Sequence, residues 1–217
     1  MGESGETVQL LLLHHQVPPP VHLPQHTNIH IRQQAQNTQA EMSLNTCINN
    51  LSTILRASST VLFYDGAMGT ELEKRGIDVS NPLWSTIALL NNPHKIKEIH
   101  RDYLDSGSNI LITSTYQTSV QGLVQYNKDH FSILKNCDAI INRSVDLASD
   151  AKDEFLASNP DSGRDSKSRP IFIAGSVGPY GAFLSDGSEY SGNYGNISAD
   201  ELKQFHYERL KVLILNP

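Results

Sequence analysis

The stretch VLFYDGAMGT, residues 61–70, is an apolar run rich in β-forming residues that ends abruptly in an aspartate and glycines. Two later runs have the same form, NILITSTYQ at residues 109–117 and PIFIAGSV at residues 170–177. Helical sequence separates the three runs. Near-continuous apolar strands that alternate with helices are typical of a parallel sheet covered by helices. The sequence therefore predicts an α/β protein with a ligand site where the strands end.

Two architectures fit this alternation, a doubly wound open sheet and a (β/α)₈ barrel of the TIM type. The dinucleotide-binding form of the open sheet is disfavoured, because GAMG at residues 66–69 is not the G-x-G-x-x-G turn of that fold. A barrel needs about 250 residues, more than the chain holds from Val61 to Pro217. We therefore expect an incomplete barrel of about three βα units.

The boundaries of these units follow from local signals. We predict strands at 61–64, 109–115 and 170–177, and a long helix from residue 131 to about 158 with Cys137 packed in the core. A capping box, Ser198 with Glu201, opens a helix that runs to about Leu210. Residues 213–215 then read as the approach to a further strand.

Composition and charge exclude several classes of function. The net charge of −6 argues against nucleic acid or an anionic membrane as partner, because neither attracts an acidic surface. Two cysteines without CxxC spacing favour a reducing compartment, and we expect the cytoplasm. The sequence has no run of the roughly 20 apolar residues needed to span a bilayer.

Residues 1–41 differ from the rest of the chain. They hold five of its nine histidines and a run of prolines, and they show no helical or strand period. We predict a disordered or mis-translated extension there, with the barrel segment over 42–217. The alternative is metal binding, but the histidine spacing has no ligand geometry behind it. These histidines are His14, His15, His22, His26 and His30.

A carboxylate and a glycine follow the first predicted strand. Asp65 ends an apolar run, where a buried carboxylate is costly unless a cation or backbone N–H groups meet it. A ligand ammonium group would be such a partner, and Gly66 would let the backbone approach the ligand closely. The alternative is a tight turn in which Asp65 only caps the next helix.

Further candidates lie beside the same predicted edge of the sheet. Trp84 offers a flat π-face for an alkyl chain or a cation, although a lone tryptophan is also a common anchor of the core. Thr115, Tyr116 and Gln117 follow the second strand and Ser176 follows the third, with a simple turn as the alternative. The histidines that we interpret as structural or solvent-facing are His94, His100, His130 and His206.

Five motifs follow one another along the chain: DGAMGTELEKRG at 65–76, PLWS at 82–85, H-x-x-Y-x-x-x-G at 100–107, TSTYQ-T at 113–118 and GSVGPYGAFLSDGSEYSGNYG at 175–195. Together they resemble the homocysteine S-methyltransferases, most closely the branch that uses S-methylmethionine or S-adenosylmethionine. The resemblance runs from about Val61 to Leu210.

The resemblance implies a barrel in which zinc, held by three cysteines, binds homocysteine as a thiolate. Coordination deprotonates a thiol, whose free pKa is about 8.5. The thiolate would take a methyl group from the sulfonium donor and give methionine. Asp65 and Gly66 would hold the amino-acid end of homocysteine, and Trp84 and Tyr116 would line the pocket.

The resemblance also implies that the metal ligands of the family lie beyond Pro217. Neither Cys47 nor Cys137 stands where such a ligand is expected. We therefore expect no zinc site and no catalytic residue within this chain, which would be inactive alone. The alternatives are a non-catalytic barrel fragment and a Rossmann-type methyltransferase, which the missing glycine-rich turn disfavours.

Overall fold

The computed structural model describes residues 51–56, 61–80, 83–126, 137–159 and 169–215, and it shows an α/β chain dominated by helices. Residues 51–56 are helical. The elements that follow are α1 (Met68–Lys74), α2 (Thr86–Asn91), α3 (Pro93–Asp105), β1 (Ile110–Ile112), α4 (Val120–Tyr126), α5 (Cys137–Ser158), β2 (Phe172–Ala174), α6 (Tyr180–Leu184), α7 (Ser188–Ser191) and α8 (Ala199–Leu215).

The described sheet has two parallel strands. In β1 and β2, Ile110 lies opposite Phe172 and Ile112 lies opposite Ala174. A single parallel bridge then joins Tyr64 to Ile110. The second and third predicted strands are therefore confirmed in type, with shorter bounds than the apolar runs suggested.

The prediction of a buried first strand at 61–64 is wrong. Among the described residues only Tyr64 of this segment forms a bridge, and the side chains of Val61, Phe63 and Tyr64 are 70%, 63% and 57% exposed. An apolar strand is buried only when other elements cover both of its faces. Within the described ranges, 61–64 pairs along one edge with residues at the start of β1, and most of its side chains stay open to water.

The core lies where α3 and α5 pack together. Ile96 and Ile99 of α3 join Ile141 and Val145 of α5 in one cluster of buried side chains. Full burial of each such side chain contributes about 1.5–3 kcal/mol. Cys137 belongs to this cluster, and burial raises the pKa of its thiol to about 11, so its predicted packing role is confirmed.

The long C-terminal helix corrects another prediction. Residues 213–215 do not approach a strand, because α8 continues through them. Phe205, Arg209 and Leu213 recur every four residues and are all at most 3% exposed, which is one buried helical stripe. The predicted start is confirmed: the backbone N–H of Ser198 donates to Glu201, and that of Glu201 donates to the Ser198 hydroxyl.

Candidate functional site at the strand ends

The carboxyl ends of the predicted strands meet at one edge, as the sequence predicts. The backbone N–H of Ile112 donates to Asp65 Oδ2 at 2.9 Å, which ties the first turn to β1. The N–H of Thr113 donates to the carbonyl of Ala174 at 2.9 Å, which ties β1 to β2. Polar groups from three separate parts of the chain therefore share this edge.

Asp65 is buried there, and only one of its two carboxylate oxygens has a hydrogen-bond partner among the described residues. Its side chain is 2% exposed. Oδ2 accepts the bond from Ile112, while Oδ1 has no hydrogen-bond partner among the described residues. A buried polar atom without a partner costs about 1–3 kcal/mol. The position is therefore poised for a donor that the described chain does not supply.

His100 of α3 faces the same carboxylate. Its ring is fully buried, and Nδ1 lies 3.6 Å from Asp65 Oδ2, which is too far for a hydrogen bond. Neither ring nitrogen has a partner among the described residues. From the sequence, His100 is expected only to be structural or solvent-facing, and its place beside Asp65 is not predicted.

The motif H-x-x-Y was the signal that could have found this contact. Residues three apart share a helix face, so His100 and Tyr103 both point from α3 to the Asp65-Gly66 turn. A Cβ added to Gly66 would lie 2.6 Å from the Tyr103 hydroxyl oxygen. Burial, with smaller effects of the Glu71 and Asp65 carboxylates, raises the pKa of Tyr103. We call Asp65 and His100 the open pair.

Thr115 and Ser176 cross-link the other two strand ends. The Thr115 hydroxyl donates to the carbonyl of Ser176 at 2.7 Å, and the Ser176 N–H donates to the Thr113 hydroxyl at 2.9 Å. Thr115 is only 2% exposed, so its side chain faces protein. Within this network, Ser176 takes part through its backbone.

Tyr116 and Gln117 point in different directions. Tyr116 is 41% exposed at the edge, and burial of the rest, followed by the charge of Glu189, raises its pKa. The Gln117 amide is turned towards α6, where it lies 3.5 Å from the carbonyl of Ala182. Tyr116 is thus the more accessible of the two predicted residues.

Trp84 stands just before α2 with 49% of its surface exposed. Its φ of +46° lies in the left-handed region that bulky residues rarely adopt. Strain of this kind costs about 1–3 kcal/mol and is concentrated at functional sites. The conformation of Trp84 is therefore consistent with a binding residue.

Arg209 lies at the same edge and is not among the site residues predicted from the sequence. Its guanidinium donates to the carbonyls of Gly178 at 2.7 Å and Tyr116 at 3.3 Å, and it lies 3.5 Å from that of Thr118. Gly178 in turn donates its N–H to the Tyr116 carbonyl at 3.0 Å. Burial lowers the pKa of Arg209 to about 10. Its place on a buried helical stripe was the available signal.

The glycine-rich segment after β2 folds into α6 and α7 and packs against α8. The ring of Tyr180 contacts those of Phe183, Tyr194 and Phe205 at centroid distances of 4.9–5.8 Å. A cavity of about 700 Å³ opens beside these four rings, with Glu201 on its wall. The segment is therefore an ordered wall near the strand ends.

The described ranges offer no group of three histidine, cysteine, aspartate or glutamate side chains that could hold a metal ion. Nor does any helix in those ranges have the length and apolarity required to cross a membrane.

Comparison with known proteins gives a consistent result. A family model described as Homocysteine S-methyltransferase matches residues 62–216. The selenocysteine methyltransferase of Astragalus bisulcatus is 46% identical over 156 residues, covering 68% of this chain and 45% of that protein. Homocysteine S-methyltransferase 2 of Zea mays is 42% identical over 153 residues, covering 70% of this chain and 44% of that protein.

A solved structure agrees with these relatives. The metallated form of the homocysteine methyltransferase MmuM from Escherichia coli superposes with a TM-score of 0.63 at 40% identity. The match covers 74% of this chain and 53% of that one. The chain thus spans about half the length of the curated relatives and the structure that it matches.

Proposed function

The chain belongs to the homocysteine S-methyltransferase family, and we propose that it supplies the part of a methyltransferase site that binds the amino-acid acceptor. One observation carries the proposal: Asp65 is a buried carboxylate at a strand end whose Oδ1 has no partner among the described residues. A ligand ammonium group would satisfy that atom. A charge-assisted contact of this kind is worth about 1.5–3 kcal/mol.

The acceptor is homocysteine in this proposal, and the donor is a sulfonium such as S-methylmethionine or S-adenosylmethionine. The acceptor sulfur attacks the methyl carbon of the sulfonium. The bond from that carbon to the donor sulfur breaks, its electron pair stays on the donor sulfur, and the thiol proton leaves to solvent. The products are methionine and the demethylated donor.

The exposed aromatic side chains suit the donor. A sulfonium is a cation with apolar substituents, and such cations are attracted to the faces of tryptophan and tyrosine. Trp84, just before α2, and Tyr116, shortly after β1, are 49% and 41% exposed. We propose that the Tyr116 ring contacts the sulfonium while Asp65 holds the amino group of the acceptor, and that the Trp84 ring joins Tyr116 when the donor binds.

The zinc expected for the family does not fit the described residues. Cys137, the described cysteine, is in the core with a thiol pKa of about 11, and no metal-binding group of three surrounds it. The described residues therefore supply no metal-binding group for the reaction. The metallated form belongs to MmuM, and it does not identify a metal in this chain. Zinc in a whole enzyme of this family is a prediction.

Selenocysteine is a second candidate acceptor, because the Astragalus bisulcatus relative, 46% identical, is a selenocysteine methyltransferase. Selenocysteine has the same amino-acid end as homocysteine, so Asp65 would serve both. Its side chain is one methylene shorter, which places the reacting atom closer to Asp65.

The organisation of the chain is part of the proposal. We propose that residues 42–217 form the N-terminal part of a (β/α)₈ barrel, that residues 1–41 are an extension outside it, and that the protein acts in the cytoplasm. The parallel pairing of β1 with β2, which are joined along the chain by a segment that contains α4 and α5, supports the barrel unit. The rival is a non-catalytic barrel fragment that binds no acceptor.

Titration of isotope-labelled protein with L-homocysteine, followed by NMR, tests the proposal. We expect saturable shifts of the amide signals of Asp65, Gly66 and Tyr116, with L-selenocysteine as competitor under reducing conditions. An unchanged spectrum at millimolar homocysteine would favour the non-catalytic fragment.

A further inference from the structure

We propose that Arg209 is a positioning residue that holds the two strand-end loops, residues 115–118 and 175–178, at a fixed spacing and thereby places Tyr116 at the site. The inference rests on the proposed function for its link to ligand binding. The loop spacing itself depends only on contacts within this chain and not on a bound ligand.

The guanidinium reaches both loops at once. Nη2 donates to the carbonyl of Gly178 at 2.7 Å, while Nη1 donates to that of Tyr116 at 3.3 Å. The N–H of Gly178 also donates to the Tyr116 carbonyl. The two loops are therefore joined directly by one hydrogen bond, and the guanidinium of Arg209 adds one hydrogen bond to each loop.

Only arginine suits this arrangement. Its planar fork serves two acceptors in fixed directions, whereas lysine presents a single compact ammonium group. Gly178 fits closely as well, because a Cβ added there would lie 2.4 Å from the Tyr116 carbonyl oxygen. The spacing between the loops is thus defined from both sides.

A charge at position 209 is costly for a purely structural role. Arg209 is 3% exposed and lies on the stripe of Phe205 and Leu213, where an apolar side chain would pack without desolvation. Its charge is instead balanced by the loop carbonyls and by the Phe205 ring, 4.6 Å from its central carbon. The ring of His206 also contacts the guanidinium, since its Nδ1 lies 2.9 Å from Arg209 Nη2.

The effect of Arg209 should be confined to Tyr116 and its loop. The buried Thr115–Ser176 bond and the β1–β2 ladder do not involve the guanidinium. Loss of the fork should therefore loosen the Tyr116–Gly178 contact while the strands remain paired. This separation distinguishes positioning from general stabilisation.

Hydrogen exchange of Arg209→Met, Arg209→Lys and the control Lys211→Met tests the proposal. Lys211 is exposed on the same helix. In both Arg209 variants we expect exchange of the Gly178 N–H to rise at least tenfold more than that of the Thr113 N–H, which is bonded to Ala174 and rises only as far as the global stability falls. Lys211→Met should change neither. Arg209→Lys keeps the charge and provides the result if Arg209→Met does not fold.

Two outcomes would overturn the proposal: unchanged exchange at Gly178, or an equal rise at Gly178 and Thr113, which would indicate a structural role only. A homocysteine titration of the same variants follows. We expect at least tenfold weaker binding in Arg209→Lys, and equal affinity would contradict the link to the site. If the unmodified chain binds no homocysteine, the proposed function fails, while the exchange data still decide the loop spacing.

Discussion

Two buried polar clusters lie at the strand ends, and they differ in how fully their hydrogen bonds are made. Around Arg209, both terminal nitrogens of the guanidinium have partners and only Nε is left without one among the described residues. In the open pair, Asp65 Oδ1 and both nitrogens of His100 have none. Native proteins rarely bury polar atoms without partners. We therefore interpret the satisfied cluster as support for the proposed site, and the open pair as the place where we propose that a ligand binds.

The largest expected effect concerns the cluster around Arg209, where Gly178 packs against Tyr116. Gly178→Ala would place a Cβ 2.4 Å from the Tyr116 carbonyl oxygen, a backbone atom that cannot move away alone. We expect a loss of about 3 kcal/mol in the free energy of unfolding, at the upper end for overpacking. Urea denaturation measures it.

Gly69→Ala is the matched control for this substitution. Gly69 lies in α1, and an added Cβ there meets no atom within 4 Å. Alanine in a helix is favoured over glycine by about 0.5–1 kcal/mol, so this variant should be slightly more stable. A destabilisation of similar size in both variants would show that the tight contact at Gly178 is not what matters.

The two clusters should respond oppositely to the loss of a polar side chain. Arg209→Met leaves the carbonyls of Tyr116 and Gly178 without this donor, so we expect a loss of about 1–3 kcal/mol in stability. His100→Leu removes two nitrogens that bond nothing in the described ranges. Its stability should equal that of the parent or exceed it by up to about 3 kcal/mol, since an unpaired buried polar group is costly and an apolar side chain removes that cost.

Thermal and urea unfolding of both variants, side by side, provide the comparison. A strongly destabilised His100→Leu beside a neutral Arg209→Met would reverse our assignment of support and ligand site.

The smallest expected effect is a pH dependence at His206. Burial and then the charge of Arg209 lower the pKa of His206 to about 4 from an ordinary value of about 6.5. The unfolded chain therefore binds more protons between these values. The contribution of neutral His206 is complete above about pH 6.5 and is lost as the pH falls towards 4.

We expect this loss to be about 1 kcal/mol, because His206 is only partly buried and solvent screens the effect. Stability from pH 7 to pH 5 should fall less in His206→Gln than in the parent. Parallel curves for the two proteins would show that His206 titrates alike in the folded and unfolded chain.

The sequence predicted features that depend on neighbouring residues. The Ser198–Glu201 capping box depends on residues three positions apart and was found where expected. The second and third strands were also found in the predicted runs, with shorter bounds. Burial of residues 61–64 could not be predicted in this way. An apolar run shows that cover is favourable, and it does not show which elements provide it.

The missed site residues depend on long-range contacts. Arg209 donates a hydrogen bond to Tyr116, 93 positions earlier in the chain. His100 lies near Asp65 because α3 packs against the turn at Asp65. The place of Arg209 on a helical stripe with Phe205 and Leu213 indicates that it is buried, but it does not show which carbonyls the guanidinium reaches. The extension of α8 over 213–215 was missed for a related reason, because three consecutive apolar residues fit a strand as well as a helix.

The central claim is that Asp65 of the open pair binds the ammonium group of the acceptor. It is tested most directly by measuring affinities of the parent chain and of Asp65→Asn for L-homocysteine and for 4-mercaptobutanoate, which lacks the amino group. We predict that the parent prefers homocysteine at least tenfold, as a contact of about 1.5–3 kcal/mol requires. We also predict that Asp65→Asn loses this preference while keeping its affinity for 4-mercaptobutanoate. Equal binding of the two ligands by the parent chain, or an unchanged preference in Asp65→Asn, would contradict the claim.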